Sequence, residues 1–230
     1  MNHVLKRTLT GLTIGLVVIA AALLAPPVSF VWVFGTLVIL AIAEFATLLN
    51  IKIPAFSLRG FPLLCIGALV IACGFWALPM IASRYDNAMC GAFRRGNVML
   101  LYVIMIVKFS DVGGFAFGLT SAKLMKGGNH KMCPTISPGK SWEGMCGSVF
   151  ASCLVSCCFM GATGFGWGKS LALGAMAAVI GTAGDLVESK FKRWVGVKDS
   201  STMKITNGMG GLLDMFDSLI FAPAAIYAFL

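Results

Sequence analysis

The stretch GMGGLLDMFDSLIF, residues 208–221, opens an apolar run with two carboxylates in its first turns. Asp214 and Asp217 are three residues apart, so on a helix they stack on one face. Like charges side by side in a low dielectric either protonate or bind a cation. A second polar stretch, GDLVESKFKRWVGVKD, spans 184–199. There Asp185, Glu188, Ser189 and Lys192 fall at i, i+3, i+4 and i+7, one helical face, and the stripe runs on into Lys190, Arg193, Lys198 and Asp199. A third, KMCPTISPGKSWEG at 131–144, offers Ser137, Lys140, Ser141 and Glu143 beside Trp142. Its prolines, Pro134 and Pro138, rule out a continuous helix. All-oxygen ligands suit a hard ion, Mg²⁺ above all, which keeps waters and shares phosphate oxygens. Gly208, Gly210 and Gly211 permit tight turns before Asp214, and the helix start after them offers N–H groups to a phosphate.

Other ionisable residues carry weaker signals. Lys108 and Asp111, at i, i+3, either neutralise each other or take part in chemistry; Gly113 and Gly114 follow, where a backbone or ligand can approach closely. Glu44 stands alone in an apolar run and receives no role. His3 and His130 are too few and too isolated for a zinc site. The eight cysteines form no CxxC pair and read as small apolar packing residues.

These residues must be positioned by membrane helices. The chain has 230 residues, 58% hydrophobic and 12% charged, with mean hydropathy +0.90. That composition excludes a soluble domain. Runs of roughly 20 apolar residues predict an all-α polytopic bundle of about seven spans, near 8–25, 28–49, 61–82, 97–118, 145–167, 170–188 and 212–230. The expectation is one membrane domain, 1–230, with N-terminal spans over 1–96, a catalytic part over 97–230, and cytoplasmic loops at 119–144 and 189–211. The first span is read as uncleaved. A net charge of +9 invites a nucleic-acid reading, but its distribution argues otherwise. With the N-terminus cytoplasmic, thirteen of the 18 Lys and Arg fall inside, four outside and Lys108 within a span, as the positive-inside rule requires. The excess charge then reports topology and attracts anionic headgroups. The same topology puts Asp185, Asp214 and Asp217 at one membrane face, where three carboxylates converge.

From these residues the chain is identified as resembling the phosphatidate cytidylyltransferase, or CDP-diacylglycerol synthase, family. That family's signature runs S-x-x-K-R-x4-K-D, a short spacer, then H-G-G-x-x-D-R-x-D. Ser189, Lys192, Arg193, Lys198 and Asp199 complete the first half; Gly210, Gly211, Asp214 and Asp217 keep the second. The family's D-x-G-A-Y looks like Asp111-Val112-Gly113-Gly114-Phe115. Its S-P-K-K-T-W-E-G looks like Ser137 to Gly144, and G-D-L-x-E-S is intact from Gly184 to Ser189. The matches cover about 111–221. Met209 stands where the family has His, Met215 replaces the Arg between the aspartates, Gly139 replaces a Lys, and the spacer after Asp199 is about two residues longer.

The resemblance implies that CTP and phosphatidate give CDP-diacylglycerol and pyrophosphate. It assigns Asp185, Asp214 and Asp217 to Mg²⁺, with room for a second, monovalent cation. Lys192, Arg193 and Lys198 would hold phosphates; Asp199 would orient Lys198 or bind cation, and Asp111 joins the catalytic set. Ser137, Lys140, Glu143, Ser189, Gly210 and Gly211 would line the substrate side. Expected partners are CTP, phosphatidate and membrane lipids, with no nucleic acid and a homodimer left open. The expected location is a bacterial inner membrane, the active site facing the cytoplasm. A cation-coupled transporter is the main rival, since intramembrane carboxylates also mark ion paths; the gathering of acids at one face and the lack of an inverted repeat count against it. A CDP-alcohol phosphotransferase would need a four-aspartate array that is missing. A relative impaired by Met209 and Met215 is the remaining alternative.

Overall fold

The computed structural model describes residues 19–86, 88–125, 128–197, 200 and 211–230. Lys198, Asp199 and Gly210 lie outside the described residues, as does most of the span expected at 8–25. After a helical stretch at 19–24 come α1 (Pro27–Lys52), α2 (Gly60–Arg84), α3 (Arg95–Leu124), α4 (Trp142–Cys158), the single turn α5 (Met160–Thr163), α6 (Trp167–Val195) and α7 (Leu212–Phe229). Two small antiparallel hairpins interrupt the helices: β1 (Met89–Cys90) with β2 (Phe93–Arg94), and β3 (Lys131–Cys133) with β4 (Ser137–Ser141). The chain is therefore an all-α polytopic bundle, as its composition predicts. Helices α1, α2, α3, α6 and α7 are long and apolar enough to cross a membrane.

The span expected at 145–167 is corrected. Helix α4 stops at Cys158 after 17 residues, about 26 Å of rise. Residues 161–168, GATGFGWG, carry four glycines in eight positions, too costly for one helix to continue through them. Gly164 turns the chain with φ 75°, and α6 begins at Trp167. Conversely, α6 runs seven residues past its expected end at 188, because Ser189–Val195 contain no helix breaker; it stops where Gly196 adopts φ 93° and donates back to Lys192 and Arg193.

The outer surface is apolar: Trp32, Phe115, Phe150 and Trp167 are more than half exposed, as lipid-facing side chains must be. Inside, Phe75, Leu78, Tyr102, Ile106 and Ile226 are fully buried. Between helices, polar side chains tie buried backbone. Ser152 donates to the Ile106 carbonyl at 2.9 Å, Tyr102 and Ser156 hydroxyls meet at 2.8 Å, and Ser156 reaches the Ser170 carbonyl at 2.7 Å. These bonds hold α3, α4 and α6 together where lipid supplies no hydrophobic drive.

Small residues set the spacing. A Cβ on Gly113 would lie 2.5 Å from the Gly147 carbonyl, so the glycines after Asp111 let α3 and α4 touch. At Gly74 a Cβ would overlap the Ile220 carbonyl on α7. Gly74→Ala should push α2 from α7 and lower stability by about 1–3 kcal/mol, read as a depressed thermal midpoint in detergent; an unchanged midpoint would mean the helices are not this close.

Candidate active site

The two ends of the bundle differ. At one end Tyr85, Arg95 and Lys169 cap backbone carbonyls of Leu230 and Thr163. The other end holds the C-terminal parts of α1, α3 and α6 and the start of α7. There Lys52 donates to the Trp194 carbonyl at 2.6 Å and stacks on its indole. A cleft of about 450 Å³ opens at this end. Its walls come from α3 (Lys108, Asp111), the β3–β4 hairpin (Ser137, Lys140), α6 (Thr182, Asp185) and α7 (Asp214, Asp217).

Each element puts its residues there for a local reason. On α3, Lys108 and Asp111 sit one turn apart and pair at 3.3 Å. Lys108 also donates to the Met215 carbonyl at 3.1 Å and Ser218 Oγ at 3.3 Å, and Ser218 Oγ donates to Asp111 at 2.8 Å. Thus α3 and α7 are joined by polar contacts beneath the cleft. The hairpin is anchored at both strand ends. Ser141 Oγ accepts the Gly144 N–H and caps α4. Glu143 accepts the His130 N–H at 3.1 Å and meets its ring at 2.6 Å. Glu143 lies outside the five membrane-length helices, and these His130 bonds pull its pKa down to about 2. The sign follows: the contact contributes above the ordinary carboxylate pKa and is lost as pH falls toward 2. So anchored, the hairpin extends Lys140 over α6, where it pairs with Asp185 at 2.6 Å and donates to the Thr182 carbonyl at 3.0 Å.

Helix α7 starts in a dense set of caps. Asp214 Oδ2 accepts the backbone N–H of Ser200 at 2.8 Å and of Gly211 at 3.2 Å. Its other oxygen pairs with Lys192. Glu44 Oε2, arriving from α1, accepts the N–H of Leu212 at 2.8 Å and of Leu213 at 3.2 Å. The N–H groups of Gly211, Leu212 and Leu213, which a phosphate could otherwise meet, are therefore bonded to carboxylates.

The structure gathers Asp111, Asp185, Asp214, Asp217, Ser137 and Lys140 around one cleft. It sorts the other expected residues elsewhere. Lys192 does not line the cleft: it is a buried bridge between Glu188, at 3.3 Å, and Asp214. Arg193 lies outside the cleft and reaches the hairpin turn through the Ile136 carbonyl at 3.5 Å. Ser189 bonds Asp185 at 3.4 Å and so orients a cleft carboxylate. Glu143 holds the hairpin rather than facing the cleft. Lys108, Ser218 and Glu44 are the contributors that sequence spacing underrated; the lone acid in an apolar span was the available signal for Glu44.

The donor set fits a hard cation of a particular kind. Among the described residues, no three acidic, His or Cys side chains stand as a ready-made cage. Asp111, Asp185 and Asp214 each have a lysine partner, whereas Asp217, lining the same cleft, stands in no ion pair among the described residues. An open site of carboxylate oxygens from different helices suits an ion that retains waters and shares phosphate oxygens.

Residues 69–230 match the family model described as the cytidylyltransferase family. A Staphylococcus aureus protein named phosphatidate cytidylyltransferase is 42% identical over 124 residues, 53% of this chain and 45% of that relative. Proteins of the same name from Mycobacterium bovis and Mycobacterium tuberculosis are each 30% identical over 276 aligned positions. These cover 96% of this chain and 85% and 79% of the relatives. The chain thus spans less than half the length of the Staphylococcus relative it matches.

Proposed function

Because this chain belongs to the cytidylyltransferase family, we propose that it transfers the cytidylyl group of CTP to phosphatidate. The products are CDP-diacylglycerol, which stays in the membrane, and pyrophosphate. The observation that carries this reading is the single cleft in which four aspartates from α3, α6 and α7 meet Lys108 and Lys140 at one end of the bundle. A triphosphate needs cations and hard-ion ligands, and a lipid phosphate needs them at membrane depth.

The nucleophile is a phosphate oxygen of phosphatidate. A phosphomonoester has a second pKa of about 6, so it is largely ionised at neutral pH and needs no general base. That oxygen forms a bond to the α-phosphorus of CTP as the bond to the β-phosphate bridge oxygen breaks, and pyrophosphate leaves with the electron pair. Catalysis of this kind is positioning and charge neutralisation. Asp185, Asp214 and Asp217 would hold Mg²⁺, with Asp217 contributing the carboxylate that lacks a lysine. Bound there, the ion would neutralise phosphate charge in the transition state. Lys108 and Lys140 offer ammonium groups to the triphosphate. Ser189 keeps Asp185 aimed into the cleft, and the hairpin carrying Ser137 and Lys140 covers the nucleotide. The positive-inside bias supports a cytoplasmic position for this end, the side on which CTP would be met.

The test is purified protein in phosphatidate-containing vesicles with labelled CTP, with and without Mg²⁺. The expected result is CDP-diacylglycerol with stoichiometric pyrophosphate, both lost on chelation. Absence of both products in the presence of Mg²⁺ would overturn the reading.

A further inference from the structure

Glu44 is an anomaly. It is the only acidic residue before Asp86, sits within the apolar helix α1 and is 2% exposed. A lone carboxylate at such a depth is costly and persists only where something compensates it. The compensation is the first turn of α7, 168 positions along the chain. Glu44 Oε2 accepts two of that helix's free N–H groups, at its partially positive end. Its other oxygen, Oε1, is buried without a hydrogen-bond partner among the described residues and rests against Gly211. A Cβ on residue 211 would overlap Oε1 and Ser200 Oγ. Gly211 has φ −84°, which any residue adopts, so glycine is required there by the approach of Glu44 and Ser200 and not by backbone conformation.

We propose that Glu44 is a positioning residue for the α7 aspartates, and that Gly211 is the gap through which it reaches them. The inference rests on the function proposed above. Asp214 lies one residue beyond the N–H groups that Glu44 holds, and Asp217 one turn further. The lock fixes how far α7 is advanced and rotated against α1, and with it the aim of both carboxylates into the cleft. It also makes α1, which precedes the matched residues 69–230, a working part of the site.

The experiment uses the full chain in phosphatidate vesicles, with turnover counted per folded molecule, alongside amide exchange in detergent. Glu44→Ala should lower kcat by about 10- to 100-fold, the scale of a misplacement of about 1 Å, with the CTP KM little changed. Glu44→Gln, whose amide oxygen still accepts both N–H groups, should recover most of that loss. Exchange at Leu212 and Leu213 should accelerate in Glu44→Ala and stay slow in Glu44→Gln. Gly211→Ala alone should impair kcat like Glu44→Ala, and in the Glu44→Ala background should add less than its single-variant loss, because the closer of its two clashes, with Oε1, is gone while that with Ser200 Oγ remains. Wild-type kcat in Glu44→Ala, unchanged exchange, or fully additive losses would each overturn the proposal. If Glu44→Ala does not fold, Glu44→Gln and Gly211→Ala still decide it through exchange and kcat. If the wild-type protein makes no CDP-diacylglycerol, the proposed function fails, while exchange at 212–213 still tests the lock.

Discussion

Asp217→Asn should abolish turnover and yet leave a protein at least as heat-stable as the parent. The two effects have one cause. Asp217 lines the cleft with Asp111, Asp185 and Asp214, but those three have lysine partners and Asp217 stands in no ion pair among the described residues. Without a ligand its charge opposes folding, because a carboxylate at membrane depth is costly. In the proposed reaction it would be the carboxylate available to hold positive charge against the phosphates. The amide keeps the shape and removes the charge. Turnover should fall by about 10³-fold or more, the scale of losing a preorganised electrostatic group, while membrane insertion and thermal midpoint hold or rise. Asp214→Asn makes the contrast. It should lose activity and stability together, since Asp214 also bonds Ser200, Gly211 and Lys192. Near-normal turnover by Asp217→Asn would remove the cation assignment. A large drop in its midpoint would show instead that Asp217 is a structural partner.

Lys192→Met should act mainly on the fold. Lys192 is 11% exposed and bridges Glu188 and Asp214, whose side chains are 9% and 16% exposed. Removing the cation strands two carboxylates, and breaking a buried pair from one side costs about 3–5 kcal/mol. The thermal midpoint should drop steeply, and adding Glu188→Gln should restore part of it by removing one stranded charge. Lys192→Arg should be tolerated poorly, since a planar guanidinium does not replace a compact ammonium between two fixed partners. If Lys192 instead held the triphosphate, Lys192→Met would raise the CTP KM and leave the midpoint alone. The calorimetric and kinetic readouts therefore separate the two roles.

Long apolar runs and the spacing of the acids made much of this protein legible in one dimension. Five membrane-length helices follow from run length, because lipid forces every backbone polar group to bond within its own segment. Asp111, Asp185, Asp214 and Asp217 were visible because charge in an apolar run is costly and so is informative, and Lys140 and Ser137 because the prolines around them exclude helix. Three things were not legible. The α4–α5 break looked like continuous apolar sequence until four glycines were weighed against its length. The partners of Lys192 were hidden because a signature gives residue type and order, not whether a cation already has carboxylates such as Glu188 and Asp214 beside it. Glu44 could be seen as anomalous but not understood, since its partners are 168 positions away. What the chain determined by itself was local: which segments enter the membrane, and which carboxylates share a helical face. What only the tertiary structure decided was pairing, meaning which acid meets a lysine, which caps a helix and which, among the described residues, stands in no ion pair. Such contacts depend on the packing of helices distant in sequence, and no spacing rule reaches across that distance.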